Sequence, residues 1–427
     1  AWGRRPGGTV RGIHGRDFLR LLMAGATTSL LPGGPESLFA QSKPATPPES
    51  DLDRYLAFER RRLEAIERHF DRSTGDATGA TPEYDRTMAQ VLIALRDPKS
   101  APLFRPLVDR FPDYAQLTVI GPEERGAAEW GTTLSGVLGR EVRVVPAARS
   151  AWVEVWAQDI LEPVRVGDRV RLVLPLFYRY GEDLPRDDAR QTRVHVDGIG
   201  GALQSKGIAT QPVPFYFHGG DLAFDRIEDR PSLLTTVDPL LNTQRYYRQV
   251  RGGELDPGTL RKRMATAFGV ERVEILTTRE ARRYTLHLDQ VLCLLPGRKA
   301  LVTRIVEDPA PLRRTWDRAE IEHERRRCDE VRRGCVDLGY EILDAEVTPQ
   351  QLAESRVAVN AIPYRHRTTE RRHLLMPTWP GMSTFETEAQ LRTVRRIEAN
   401  GIEVALVTDE HFHEFGGSLH CITNVLE

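Results

Sequence analysis

The chain has 427 residues, of which 40% are hydrophobic and 28% charged, the composition of an ordinary globular protein with room for a large core. Lysine and arginine total 60 against 61 aspartates and glutamates, so the net charge of -1 gives no reason to expect nucleic acid or an acidic membrane surface as a partner. The cysteines, Cys293, Cys328, Cys335 and Cys421, are too few for a disulfide framework.

Residues 1–40 have the plan of a secretory signal. A basic start precedes an apolar stretch from Phe18 to Leu31, which is too short to span a membrane, and the small residue Ala40 follows. This plan predicts an exported protein, periplasmic or secreted, with a cytoplasmic location as the alternative. Residues 41–110 are predicted to be a Pro/Ser linker and an N-terminal helical segment with amphipathic helices at Asp53–Phe70 and Tyr84–Leu95. The main domain is predicted to span residues 111–427.

From residue 115 onward, strand and helix patterns alternate. Apolar, β-branched segments predict strands at residues 115–121, 140–146, 169–177, 270–276, 286–295, 373–380 and 401–408. Helices are predicted near residues 122–139, 257–268, 319–337 and 384–399. The predicted class is therefore α/β, rich in strands.

The sequence "HERRRCDEVRR" alternates basic and acidic residues at helical spacing, which predicts a solvated helix face. Cys328 and Cys335 lie seven residues apart on that helix and are predicted to be core fillers. The sequence shows no C-x-x-C or H-E-x-x-H spacing and no phosphate-binding glycine loop. These absences argue against a structural zinc site and against a metalloprotease, so no metal ligands are predicted.

Two segments in the first half of the main domain place polar residues next to aromatic ones. In "VEVWAQDILEPV", Asp159 follows a strand-like run that contains Trp156, and a plain turn aspartate is the simpler interpretation. In "FYFHGGDLAFD", His218 and Asp221 flank Gly219 and Gly220 after an aromatic strand-like run. A double glycine there indicates either a plain turn or a close backbone approach beside a ligand.

Two further segments carry a histidine, an aspartate and a cysteine. In "YTLHLDQVLCLL", His287 and Asp289 are two residues apart, so on a strand both side chains would point to one face. The alternative is a surface-facing edge strand. In "FGGSLHCITN", two glycines precede Cys421, which is either an inert core residue or a nucleophile.

Taken together, these side chains suit chemistry on a guanidinium group. Two carboxylates can hold its nitrogens in bidentate fashion. A thiolate can attack the central carbon if its pKa falls below the ordinary value or if the bound cation favours the charged form. A histidine can then protonate departing ammonia and later activate water.

With these four segments in this order, the sequence resembles the guanidino-group-modifying enzymes, in particular the branch of the agmatine deiminases and peptidylarginine deiminases. The resembling blocks are "WAQDILEP", "FHGGDLAFDRIEDRPSLLTTVDPLLN", "LHLDQVLCLLPGRKALV" and "FGGSLHCITN", and the resemblance covers roughly residue 117 to the end. It implies the pentein fold, a five-bladed α/β propeller with pseudo-fivefold symmetry, over residues 111–427.

The resemblance also implies roles. Cys421 would be the nucleophile, His287 the general acid and base, and Asp159 and Asp289 the guanidinium clamp. Trp156 would shape the pocket, with His218, Gly219, Gly220 and Asp221 as further substrate-binding positions. The product would be a ureido group and ammonia, formed through a covalent thiouronium intermediate without a cofactor.

Departures from the agmatine deiminase pattern leave the substrate open. Gln158 stands where those enzymes usually have arginine, and His218 where they have glutamate. The "WAQD" form and the "HC-x-TN" ending resemble the peptidylarginine deiminases. With the apparent signal, they favour an arginine-containing peptide or protein as substrate, with agmatine as the alternative. An amidinotransferase, a non-catalytic propeller and a Cys-His peptidase are less favoured readings of the same residues.

Overall fold

The computed structural model describes residues 49–73, 79–122, 127–147, 154–180, 193–281, 287–307 and 318–427. The predicted signal at residues 1–40 lies outside these described residues, so export stays a prediction. No helix within the described ranges is both long and apolar enough to cross a membrane.

The described strands form five sheets of three or four strands with one repeated plan, in which a central strand pairs antiparallel with one neighbour and parallel with the other. The strands are β1 Gln90–Ala94, β2 Gln116–Pro122, β3 Val142–Ala147, β4 Glu162–Val166, β5 Arg169–Leu174, β6 Arg179–Tyr180, β7 Arg193–Val194, β8 Ala209–Pro212, β9 Leu222–Ile227, β10 Arg230–Thr236, β11 Arg272–Thr277, β12 Leu292–Leu295, β13 Lys299–Ile305, β14 Glu341–Val347, β15 Ile362–Arg365, β16 Arg372–Thr378, β17 Ile402–Thr408 and β18 Thr423–Val425. The sheets, in strand order, are β18-β1-β2-β3, β4-β5-β8, β9-β10-β11, β12-β13-β14 and β15-β16-β17, and β6 pairs with β7.

Helices connect and cover these sheets. They are α1 Glu49–Ser73, α2 Arg105–Val108, α3 Ala127–Leu138, α4 Asp197–Ser205, α5 Asp238–Arg251, α6 Pro257–Phe268, α7 Arg318–Asp337, α8 Pro349–Ala353 and α9 Thr384–Glu398. The α/β class predicted from the sequence is confirmed. The repeated sheet plan agrees with an internally repeated fold, but a closed five-bladed ring stays a prediction.

In the first sheet, the last strand of the described chain pairs with the first strand. Strand β18 pairs antiparallel with β1, so Asn424 lies opposite Leu92. The predicted helix Tyr84–Leu95 is therefore wrong, because only Glu83–Asp85 forms a single 3₁₀ turn and "QVLIA" becomes a strand buried on both faces. The apolar residues of this segment are buried by strands far away in sequence. The hydrophobic periodicity of the segment itself does not predict that burial.

The same sheet anchors the C-terminal segment that carries Cys421. Leu419 and Ile422 are buried in the hydrophobic cluster that β1, β2 and α3 share. A chain terminus usually frays unless it is tied down. Here strand pairing and two buried side chains hold the residues on both sides of Cys421.

Helix α1 confirms the predicted amphipathic helix and docks against α5. Glu59 is fully buried, and its carboxylate accepts a hydrogen bond from the Tyr246 hydroxyl at 2.8 Å and lies 2.7 Å from His195 Nε2. Leu63 and Phe70 bury the apolar face. Polar pairing and apolar burial together fix this helix on the sheet domain.

Helix α7 is less exposed to solvent than the alternating charges of its sequence predicted. Cys328 and Cys335 are buried, as predicted, but Arg327 on the same helix is also wholly buried. Burial raises the pKa of the nearby Asp221 carboxyl to about 7, and the Arg327 guanidinium is one of the positive charges that oppose this rise. A buried charge is tolerated when an opposite charge is near.

Candidate active site

Cys421 lies in the turn between a 3₁₀ segment, Phe412–Phe415, and strand β18, and it is 3% exposed. Its thiol donates to Asp289 Oδ2 at 3.2 Å, and Asn360 Nδ2 donates to Sγ at 3.0 Å. Gly417 passes so close that a Cβ there would lie 3.1 Å from Sγ and 2.6 Å from the Trp156 ring. The predicted glycine turn therefore sets the position of the thiol between an amide, a carboxylate and an indole.

Asp159 reaches the site from a turn rather than from the end of a strand. The "VEVWAQD" segment was predicted to be strand-like, but residues 154–161 contain no strand. The Asp159 amide donates to the Trp156 carbonyl at 3.2 Å, and the Gln158 amide donates to the Cys421 carbonyl at 3.2 Å. These bonds tie the Asp159 turn directly to the backbone of the cysteine.

His287 and Asp289 share a face, but not for the predicted reason. They flank and occupy a 3₁₀ turn, Leu288–Gln290, and strand β12 begins only afterwards. The Leu288 amide donates to Asp221 Oδ1 at 3.3 Å, and this hydrogen bond helps to hold the turn in place. The prediction of a strand over residues 286–295 is thus correct only at its C-terminal half.

The double glycine allows two backbone approaches that any side chain would prevent. A Cβ on Gly219 would lie 2.0 Å from the Gln158 carbonyl oxygen. A Cβ on Gly220 would lie 3.0 Å from His287 Nδ1, 3.1 Å from Asp289 Oδ2 and 3.2 Å from Asp159 Oδ1. The aromatic run before the glycines is irregular rather than the predicted strand. The predicted close approach is present, and it brings the backbone against three polar groups at once.

Buried carboxylates and imidazoles alternate around this point. His287 Nδ1 is 3.3 Å from Asp159 Oδ1, and His287 Nε2 is 2.7 Å from His218 Nδ1. Asp159 Oδ1 and Asp289 Oδ1 have no hydrogen-bond partner among the described residues, although both carboxylates are buried. A distance of 3.3 Å brings Asp159 and His287 into ion-pair range without a well-aligned hydrogen bond.

The electrostatics of the site favour a protonated histidine and a protonated thiol. Burial opposes the charge on His287, but the carboxylates Asp159, Asp221 and Asp289 outweigh it and raise the pKa of the imidazole to about 10. Burial, followed by the charges of Asp289 and Asp159, raises the pKa of Cys421 well above its ordinary value. A cation placed among these carboxylates would remove part of the repulsion that keeps the thiol neutral.

Three residues of the site were not predicted. Asn360 contacts Sγ, and its Oδ1 also accepts from the His420 amide at 3.1 Å. The His420 ring bridges Asp289 Oδ2 at 2.9 Å and Glu83 Oε1 at 3.0 Å. His420 is adjacent to Cys421 in sequence and could have been singled out, whereas Asn360 and Glu83 lie in segments without any local chemical signal.

Asp159, His218 and His287 also lie close enough together to be considered as ligands of a metal ion. Two histidine nitrogens on a tetrahedral zinc ion, with bonds of about 2.0–2.1 Å, stand about 3.3 Å apart. The His218 and His287 nitrogens are 2.7 Å apart, which is the length of a direct hydrogen bond. The geometry thus favours a shared proton over a shared ion.

No protein-family model matches the chain, and no curated protein sequence matches it. Solved structures do match. The chain is similar to a Cys-to-Ser variant of the agmatine deiminase of C. jejuni with substrate bound, at 12% identity and a TM-score of 0.57, over 81% of this chain and 95% of that one. It is similar to the agmatine deiminase of Enterococcus faecalis at 11% identity and a TM-score of 0.56, over 82% of this chain and 97% of that one.

At this identity the likeness establishes the fold. The chain has the fold of the agmatine deiminases, which belong to the pentein superfamily of guanidino-group-modifying enzymes. The fold alone does not assign an activity, because one fold supports different chemistries through the residues of its site.

Proposed function

We propose that this chain is a deiminase that hydrolyses a guanidinium group, with Cys421 as the nucleophile. The observation that carries the proposal is the pair of buried carboxylates, Asp159 and Asp289, beside the thiol. Within the described residues, neither Oδ1 atom receives a well-aligned hydrogen bond. A guanidinium supplies a planar set of N–H donors and a positive charge, which are what two such carboxylates need.

Substrate binding prepares the nucleophile. Once the cation neutralises Asp159 and Asp289, the two charges that add to burial in raising the Cys421 pKa are compensated, and the thiol gives its proton to solvent water. Asn360 Nδ2 already points at Sγ and stabilises the thiolate that forms. The sulfur then adds to the central carbon of the guanidinium.

The protonated His287 serves as the acid of the first half-reaction. The new C–S bond gives a tetrahedral adduct. When its C–N bond breaks, one amino group leaves as ammonia with a proton from His287, and a thiouronium on Cys421 remains. Neutral His287 then accepts a proton from water, whose oxygen attacks the same carbon, and cleavage of the C–S bond releases a ureido product and returns the thiol.

Agmatine is the substrate we propose first. A small dication suits a closed, acidic pocket, and the four reacting side chains are each at most 7% exposed and lie near the further acids Asp221 and Glu83. Two similar solved structures with TM-scores above 0.5 are agmatine deiminases. The product would be N-carbamoylputrescine.

Peptidylarginine is the second candidate, and two features of the sequence favour it. These are the "WAQD" form around Asp159 and the "HC-x-TN" ending at Asn424, whose side chain donates to the Leu161 carbonyl at 3.0 Å and so joins the two blocks. A peptide substrate would need an opening for its backbone, which the burial of the reacting side chains does not favour.

The test is ureido-product formation from agmatine, free arginine and an N-acylated arginine amide in parallel. Cys421→Ala should abolish turnover without lowering the Tm much, and Cys328→Ala, a core cysteine on α7, is the matched control that should retain kcat. Product from agmatine alone supports the first candidate, and product from the blocked arginine alone supports the second. Wild-type turnover in Cys421→Ala, or no product from any substrate with folded protein, would overturn the proposal.

A further inference from the structure

His218 lies directly behind His287, on the side away from Asp159. Its Nδ1 is 2.7 Å from His287 Nε2, and the two rings meet edge to face with centroids 4.6 Å apart. Its Nε2 contacts the Tyr178 carbonyl oxygen and lies 3.1 Å from the Tyr216 hydroxyl. His218 is 3% exposed, so these contacts are made away from bulk solvent.

The partners restrict where the protons of the two rings can sit. A carbonyl oxygen only accepts, so His218 Nε2 carries a proton that it donates to Tyr178. At the other end, a carboxylate accepts, so His287 Nδ1 carries a proton toward Asp159, 3.3 Å away. A third proton lies in the hydrogen bond between His218 Nδ1 and His287 Nε2, since two bare nitrogens at 2.7 Å would repel each other.

We propose that His218 is the positioning residue that holds His287 as the Nε2–H tautomer, so that His287 exchanges protons with substrate and water only at Nδ1. This inference rests on the proposed deiminase function. When His287 gives its Nδ1 proton to ammonia, the remaining proton stays on Nε2 in the bond to His218. The lone pair is left on Nδ1, where water is activated next.

The position of Gly220 supports this assignment of faces. His287 Nδ1 is the nitrogen that lies against the Gly220 backbone together with Asp159 Oδ1 and Asp289 Oδ2, whereas Nε2 faces His218. The reacting face of the imidazole is thus the one beside both clamp carboxylates. Because Tyr178 and Tyr216 hold the far side of His218, its ring is fixed for this task.

In a Ser-His-Asp triad, a carboxylate accepts a hydrogen bond from the catalytic histidine and fixes its tautomer, and loss of the correct tautomer lowers kcat by about 10⁴-fold. Here the neutral His218 imidazole takes the place of that carboxylate as the acceptor. A neutral acceptor fixes the tautomer without adding a further negative charge beside His287. That charge would raise the pKa of an imidazole that Asp159, Asp221 and Asp289 already hold high. His218 therefore lets His287 release its proton more readily than a glutamate at the same position would.

Three variants separate positioning from mere packing. His218→Phe keeps the ring but removes the acceptor, and it should lower kcat at least about 100-fold with a small change in KM. His218→Gln offers a carbonyl acceptor and should recover part of that loss. His218→Glu adds a charge and should move the alkaline limb of the kcat profile to higher pH. His366→Phe, a histidine on the β15–β16 turn, is the control that should leave all of these values unchanged.

A direct readout does not depend on turnover. In ¹⁵N-histidine NMR of the substrate-free wild type, we expect His218 Nε2 and both His287 nitrogens to show the shifts of protonated nitrogens, with His218 Nδ1 as an acceptor. An unprotonated His287 Nε2, or equal kcat and pH profiles in all three variants, would overturn the inference. Absence of any deiminase activity in wild type with the expected NMR shifts would overturn the proposed function but leave the tautomer assignment standing.

Discussion

Substitution of Gly220 by alanine is the sharpest test of where the reaction takes place. The residue lies in a 3₁₀ turn, Gly219–Asp221, and its backbone is not left-handed, so alanine imposes no backbone strain. The added methyl would lie 3.0 Å from His287 Nδ1, 3.1 Å from Asp289 Oδ2 and 3.2 Å from Asp159 Oδ1. One methyl group thus touches the proposed acid and both halves of the guanidinium clamp.

The size of the effect follows from these distances. Comfortable contacts of a carbon atom are about 3.5–4.0 Å, so each of the three groups must retreat by roughly 0.3–0.5 Å or more. A misplacement of about 1 Å in an active site can cost about 100-fold in rate, so we expect kcat/KM to fall by about 10-fold to 100-fold, or ~1.4–2.7 kcal/mol of transition-state stabilisation. Overpacking would lower the free energy of unfolding by about 1–3 kcal/mol.

The assay is ureido-product kinetics on the best substrate, with thermal unfolding measured on the same samples. Gly201→Ala in α4 is the matched control, because nothing lies within 4 Å of a Cβ at that position. It should keep full activity and raise helix stability by about 0.5–1 kcal/mol. Wild-type kcat/KM in folded Gly220→Ala would show that guanidinium chemistry does not occur between these three groups.

Three further predictions concern charge. Asp159→Asn should lower kcat/KM by about 100-fold through loss of a charge-assisted hydrogen bond. It should also lower the His287 pKa from about 10, so the alkaline limb of the pH–rate profile should move to lower pH. If that limb stays at the same pH, the result contradicts the ion pair between Asp159 and His287. Iodoacetamide should label Cys421 slowly at neutral pH and faster as the pH rises, because burial and the Asp289 carboxylate raise the thiol pKa. Labelling should be faster at each pH in Asp289→Asn. Equal labelling rates in the two proteins would exclude Asp289 as a cause of the raised pKa. For Glu59, burial is outweighed by His195, and the carboxyl pKa falls from 4.5 to about 2. A lowered folded-state pKa contributes stability above pH 4.5, on the order of 3 kcal/mol, which is lost as pH falls from 4.5 through 2. Denaturant unfolding of Glu59→Gln should show a flatter acid limb, and an unchanged limb would contradict the assignment.

Some of this architecture could be read from the sequence because the signal is local. Helices α6, α7 and α9 and strands β2 and β17 have a clear hydrophobic periodicity of their own, and all five overlap predicted elements of the same type. Cys421, His287, Asp159 and Asp289 stand in short segments whose turn residues and chemistry are unusual for a core. Residue types and order along the chain were enough to predict the class of fold and to single out four side chains that the fold brings close together.

Other features depend on partners far away in sequence. The segment "QVLIA" reads as part of a helix until β2 and β18 pair with it on both sides. Asn360 is 61 residues from Cys421 and gives no sign of its role until the fold places its amide on the sulfur.

The sequence by itself thus determined which chemical groups the chain carries in these segments, whereas only the tertiary structure decided which of them lie within hydrogen-bond distance of one another. Asp289 was predicted as a clamp residue, but in the structure its Oδ2 is also bound to His420 and to the Cys421 thiol, so only Oδ1 lacks a partner among the described residues. His218 was predicted as a substrate-binding position, and in the structure its Nδ1 lies 2.7 Å from His287 Nε2, a contact that the sequence did not predict. The reason is physical: hydrogen-bond direction and burial are properties of side chains that meet across sheets, and a sequence orders residues along one chain only.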